Sequence, residues 1–130
     1  MYVTDTHALL HHSLVKKPLL GKDARRIFEK ADAGETIVFV PTIVLWEVSS
    51  LVELGRIHFR PSFEHWCRTL DNHDGFSIVS LEWMDVREAR HLPFPDPFDR
   101  LIAGTALRLD VPLITKDRTV VESDLIETVW

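Results

Sequence analysis

Four acidic residues stand where stability alone gives them little reason to be: Asp5, Glu47, Asp99 and Asp117. Asp5 and Asp117 end short apolar runs, Tyr2-Val3-Thr4-Asp5 and Leu113-Ile114-Thr115-Lys116-Asp117. Glu47 and Asp99 sit among helix-forming apolar residues, in Val44-Leu45-Trp46-Glu47-Val48 and Pro97-Phe98-Asp99-Arg100-Leu101-Ile102. Carboxylates brought together repel one another, and a divalent cation offsets that repulsion. An all-oxygen donor set selects a hard ion, Mg2+ or Mn2+. Such an ion lowers the pKa of bound water and orients it toward phosphorus, so the implied chemistry is hydrolysis of phosphodiesters.

Three of these acids also have a purely structural explanation. Asp5 would cap a helix starting near Thr6, and Asp117 a turn after the last long strand. Asp96, Pro97 and Asp99 together resemble a helix start, with a cap, a first-position proline and an acid favourable to the helix dipole. Glu47 has no such account. Its neighbours at helical spacing are Ile43, Val44, Ser50, Leu51 and Leu54, which places the carboxylate on an apolar stripe. An arginine partner, Arg25 or Arg56, is the alternative to a metal there. Asp99 shares its face with Ile102, Ala103 and Ala106.

Positioning these residues calls for alternating strands and helices around a parallel sheet. Strands are expected at Met1–Thr4, Thr36–Val40, Phe76–Val79, Val111–Thr115 and, as an edge, Thr128–Trp130. Helices are expected at Thr6–Ser13, Lys22–Ala33, Ile43–Leu54, Pro61–Leu70, Leu81–Arg90 and Pro97–Leu109, with a turn at Pro18–Gly21 and a loop at Asp71–Gly75. Asp5 and Asp117 then follow strands, while Glu47 and Asp99 lie early in helices that follow others. All four are expected at the C-terminal edge of the sheet, where such folds keep their sites.

The chain has 130 residues, the size of one domain spanning 1–130. With 45% apolar and 27% charged residues, disorder is not expected. No apolar stretch approaches the roughly 20 residues of a membrane span. Met1 to Asp5 lack the basic-then-apolar pattern of a secretion signal, so a cytoplasmic protein is the default. The single cysteine, Cys67, excludes an internal disulfide and a cysteine-rich zinc site. A net charge of −5 argues against a generally basic nucleic-acid binder but is compatible with an acidic metal site. Basic residues gather at Lys16, Lys17, Lys22, Arg25 and Arg26, and at Arg87, Arg90 and Arg100; each group reads as a solvated face.

At these residues the chain resembles the PIN-domain ribonucleases, and within them the VapC-type toxins of type II toxin–antitoxin systems. The resemblance rests on Val3-Thr4-Asp5-Thr6-His7, the helix around Glu47, Asp96-Pro97-Phe98-Asp99-Arg100-Leu101-Ile102-Ala103-Gly104-Thr105-Ala106, and Leu113-Ile114-Thr115-Lys116-Asp117. It implies a three-layer α/β/α sandwich on a mainly parallel sheet of four to five strands. It also implies endonucleolytic cleavage of RNA at a magnesium or manganese site. Asp5, Glu47 and Asp99 match the family's core acids, Asp117 the fourth and Asp96 an extra one found in part of the family. Thr115 resembles the hydroxyl residue near the last acid, and Thr6 the small polar residue beside the first. Thr6 and Arg100 are the expected substrate contacts, although Arg100 would equally form an ion pair with Asp96. The resemblance further implies a cognate antitoxin and a homodimer. Single-stranded RNA fits best, because an acidic cleft must admit a flexible backbone.

Other residues read more plainly. His7 and His11 share a helical face, but no cysteine or acid completes a zinc set. Trp46, Trp66 and Trp83 read as core or interface. Leu9, Leu10 and Leu14 with Leu51, Val52 and Leu54 are candidates for a dimer or partner groove. Two alternative functions stand beside the nuclease. A receiver- or phosphatase-like phosphoryl-transfer protein also uses an aspartate after the first strand, but it leaves Glu47 unexplained. A catalytically inactive PIN-like binding module leaves the full set of acids unexplained.

Overall fold

The computed structural model describes residues 1–14 and 19–130. Lys16, Lys17 and Pro18, which belong to the first basic group and the expected turn, lie outside the described residues. In chain order the elements are β1 (Tyr2–Thr4), α1 (Thr6–Ser13), α2 (Lys22–Asp32), β2 (Val38–Pro41), α3 (Thr42–Glu53) and α4 (Phe63–Asp71). They continue with β3 (Phe76–Val79), α5 (Trp83–Ala89), α6 (Pro97–Leu109), β4 (Leu113–Ile114), α7 (Arg118–Ser123) and β5 (Thr128–Val129).

The five strands form one parallel sheet in the order β3-β2-β1-β4-β5. Val3 stands opposite Phe39 on one side and Leu113 on the other, so β1 is central. The chain winds outward through β2 to β3, then returns across the sheet to β4 and β5. Parallel crossovers are right-handed, so this reversal puts helices on both faces and gives the α/β sandwich. It also opens a crevice beyond the ends of β1 and β4, the place where parallel α/β sheets bind ligands. Both faces being covered, the strands are apolar on both sides: Val3, Val38, Val40, Leu113 and Ile114 are buried together with Leu9, Phe28 and Ile102.

α5 and α6 pack closely against each other. A Cβ on Gly104 would lie 2.5 Å from the Asp85 carbonyl oxygen, so only glycine lets the two helices approach this far. Asp85 is fully buried there. Its carboxylate accepts the Glu82 backbone N–H at 2.7 Å, completing a capping box at the start of α5, and it pairs with Arg108 of α6.

Several expectations are corrected. Residues 118–123 form a helix that the β-branched Thr119, Val120 and Val121 conceal; the Asp117 cap and burial of Val120 override propensity. β4 is shorter than expected because the Val111 N–H bonds back to Ala106 of α6, and Pro112 has no N–H to give. Leu9 and Leu10 are core residues, not part of a surface groove. Of the three tryptophans assigned to core or interface, Trp66 stacks on Phe59 at 4.5 Å, whereas Trp46 and Trp83 are 60% and 70% exposed.

Candidate active site

Asp5 follows β1 directly and is the N-cap of α1, where its Oδ1 accepts the Ala8 N–H at 2.6 Å. It is 9% exposed. Burial pushes its carboxyl above the usual range. The Thr115 hydroxyl, the Ala8 N–H and His7 pull it back, and Asp117 pushes it up again. Thr115, itself buried at the end of β4, also accepts the Asp117 N–H at 3.1 Å. Asp117 caps α7 through Val120 at 3.1 Å. One threonine hydroxyl thus sets the position of both strand-end acids.

Glu47 lies in the second turn of α3 and is half-buried. The Thr6 hydroxyl donates to its Oε1 at 2.6 Å, bridging the starts of α1 and α3. The arginine alternative does not hold: the ion pairs among the described residues leave Glu47 out, and Thr6 is its partner. Burial raises the Glu47 carboxyl, the Thr6 hydrogen bond lowers it, Asp96 raises it, His7 lowers it and Asp5 raises it.

Asp99 stands in the first turn of α6, whose N-terminus Asp96 caps through the Phe98 N–H at 2.8 Å. It is pushed up to about 7, first by burial and then by Asp96, Asp117, Glu47 and Asp5 in turn. Asp99 therefore senses all four other acids, with no cation among its influences. The capping explanation holds for Asp5, Asp96 and Asp117 and leaves each free to serve a site as well. Each of the three capping aspartates engages one carboxylate oxygen with its helix, and a carboxylate has acceptor capacity left for a ligand. As they stand, no three His, Cys, Asp or Glu side chains among the described residues converge tightly enough to cage an ion, so the acids form an open rim.

Two clefts open on this rim. One, of about 400 Å³, is lined by Asp5, His7, Lys116, Asp117, Arg118 and Thr119. The other, of about 220 Å³, is lined by Thr6, His7, Trp46, Glu47, Ser50, Leu51 and Phe98. His7 is common to both. A third cavity, of about 210 Å³ beside His12, Asp32, Trp66 and His73, contains none of the five acids. Arg100 is not in the ion pairs among the described residues, Asp96 included, and its buried Nε has no hydrogen-bond partner. Sequence reasoning passed over His7, Lys116, Arg118 and Trp46 as site-lining residues. Their one signal was adjacency: each neighbours Asp117 or Glu47 in the chain or lies two residues after Asp5.

A parallel sheet with a reversed crossover, carrying buried acids at the ends of its central strands, defines an α/β protein with an acidic switch-point site. The PIN domain profile matches residues 2–123, and the chain belongs to the PIN domain family. Among solved structures it is similar to VapBC2 from Rickettsia felis bound to a DNA fragment from their promoter, with TM-score 0.68 and 12% identity over 98% of this chain and 96% of that one. It is similar also to a toxin–antitoxin complex from Klebsiella pneumoniae (TM-score 0.65, 17% identity, 100% and 97% covered). FitAcB from Neisseria gonorrhoeae gives TM-score 0.65 and 13% identity over 100% and 97%. These likenesses concern the fold. Compared by sequence with curated proteins, the chain matches none.

Proposed function

We propose that this chain is a metal-dependent endoribonuclease that hydrolyses single-stranded RNA, the toxin of a type II toxin–antitoxin pair. The observation that carries the reading is the gathering of Asp5, Glu47, Asp96, Asp99 and Asp117 at one rim, close enough that the other four acids, after burial, push Asp99 up to about 7. Such a set is poorly balanced as a structural device and well suited to a hard divalent ion, since every donor is an oxygen.

Asp5, Glu47 and Asp99, with Asp117 and Asp96, would hold Mg2+ or Mn2+, which supplies an activated water and stabilises the leaving oxygen. The chain's own residues do the rest. Thr6 holds the Glu47 carboxylate in place. Thr115 ties the Asp117 backbone to β4 and donates to Asp5, so both strand-end acids are oriented before any ligand arrives. Lys116 and Arg118, in the cleft beside Asp5, offer positive charge to the phosphates that the acids repel.

The partner is drawn from relatives: one of the similar structures is a toxin–antitoxin complex, so a cognate antitoxin is proposed here too. No helix among the described residues is long and apolar enough to cross a membrane.

The test is incubation of wild type and Asp5→Asn with a structured RNA, with Mn2+ and with EDTA. Cleavage that needs the ion and disappears in the variant is expected. Equal cleavage by both proteins would sink the reading.

A further inference from the structure

We propose that Trp46 is a stacking platform for one unpaired base of the strand whose backbone is cut at the acid site. The inference rests on the nuclease reading and adds to it where the substrate lies. Trp46 precedes Glu47 on α3, and the indole lines the same cleft as Glu47, Thr6 and His7, with Leu51 and Phe98 as its apolar wall. A base on the indole therefore sits next to the reacting phosphate.

Trp46 differs from the other tryptophans in having an open ring. Trp66 is stacked on Phe59, Trp83 carries Arg87 at 5.6 Å, and Trp130 is met by Lys116 at 5.4 Å and by the edge of His11. Among the described residues no ring or cation covers Trp46, which is 60% exposed. Leaving so large an apolar surface in water is costly, and a planar partner removes that cost.

The surroundings favour a base over a protein. Beside its apolar wall the cleft carries the polar groups of Thr6, His7, Glu47 and Ser50, which a nucleotide's sugar and base edges can meet. The other strongly exposed apolar residue of this segment, Leu54, caps the opposite, C-terminal end of α3, about 12 Å along the axis from Trp46. An indole with Leu51 and Phe98 beside it is much less than the roughly 800 Å² per partner of a stable protein interface. Stacking also suits an acidic site, since it lets the strand approach by its neutral part. Every base has a π-face, so the platform needs no particular sequence.

Binding is measured in EDTA, so that no strand is cut, using fluorescence anisotropy. The probes are a randomised single-stranded RNA pool of about twelve nucleotides and an abasic ribose-phosphate oligomer of the same length. Trp46→Ala is expected to weaken RNA binding about tenfold and leave abasic binding unchanged, while Trp46→Phe retains most of the affinity. Leu54→Ser, equally exposed but outside the cleft, is expected to bind as wild type. Circular dichroism melts confirm that each variant is folded. An equal loss on both probes, or no loss on RNA, overturns the proposal, as does a Trp46→Ala change confined to protein–protein association. If wild type cleaves RNA with Mn2+ while Trp46→Ala binds and cleaves identically, only the platform falls. If wild type neither binds nor cleaves RNA, the nuclease reading falls with it.

Discussion

At the scale of single residues, Asp99 makes the sharpest statement. Its carboxyl is held near 7 against an ordinary 3.8, so between those values the folded state binds its proton more tightly than the unfolded chain does. Raising the pH through that window therefore removes stability: the penalty is absent below the unfolded pKa and complete above about 7. Asp99→Asn is expected to melt a few degrees above wild type at about pH 8 in EDTA, with the gap closing toward about pH 4. A gap that does not vary with pH would contradict the account. The same variant is expected to lose cleavage altogether. Thr6→Val removes the hydroxyl that holds Glu47, and is expected to lower cleavage about tenfold while costing about 1 kcal/mol of stability. Thr6→Ser should restore both, as read by rates and urea melts. Asp99 and Glu47 were legible in the sequence because acids on an apolar helical stripe need a reason. Thr6 was noticed, but its partner was not, because a bond between residues 41 positions apart has no local signal. That Trp46 is exposed and not in the core had no signal for a related reason: periodicity reports which residues share a helical face and is silent about which face the sheet covers.

At the scale of elements, the site depends on how closely α6 is drawn in, since α6 carries both Asp96 and Asp99. Gly104 permits the approach to α5, and the buried Asp85–Arg108 pair locks it. Glycine within a helix ordinarily costs about 1 kcal/mol relative to alanine, so Gly104→Ala would stabilise an isolated α6. Here the added methyl would meet the Asp85 carbonyl oxygen at 2.5 Å and the Ala89 nitrogen at 3.2 Å. The expected outcome is destabilisation by about 1–3 kcal/mol in urea, with cleavage reduced because the helix start is displaced. A variant more stable than wild type would show that α5 yields instead. Asp85→Ala removes the closer of Arg108's two carboxylate partners, leaving Glu82 at 3.3 Å, and also the acceptor of the Glu82 N–H, and a loss of about 3 kcal/mol is expected by the same measurement. Most elements were readable from the sequence, because capping residues, glycine stops and apolar runs agree with one another. Gly55, at φ +70°, follows α3 just beyond the expected last residue Leu54, and Ser62 caps α4. The exception, α7, is six residues long and rich in β-branched side chains. Only the tertiary seat of Val120 and the Asp117 cap make it a helix, and neither is a property of the segment alone.

At the scale of the whole molecule, the sheet order converts scattered acids into one charged rim, and the fold carries the electrostatic cost. The chain's net charge of −5 understates that cost, because five acids gather where β1 and β4 end, with Lys116 and Arg118 lining only the cleft beside Asp5 and Asp117. An ion that binds the folded state and not the unfolded chain stabilises by mass action, about 2.7 kcal/mol at a hundredfold excess over its dissociation constant. For a domain of this size that corresponds to a rise in Tm of about 10 °C. Mn2+ is therefore expected to raise the melting temperature of wild type in proportion to the logarithm of its concentration, and EDTA to reverse the rise. The increment should shrink strongly in Asp5→Asn and in Asp99→Asn, although each variant relieves repulsion and starts from a higher melting temperature in EDTA. Opposite signs in the two conditions separate a metal site from a merely crowded set of acids. Loss of repulsion alone would raise the variants above wild type with and without the ion, and in that case the acids would have no metal to hold. Lowering the pH below about 7 should weaken the Mn2+ increment in wild type, because Asp99 must shed its proton before it can serve as a ligand.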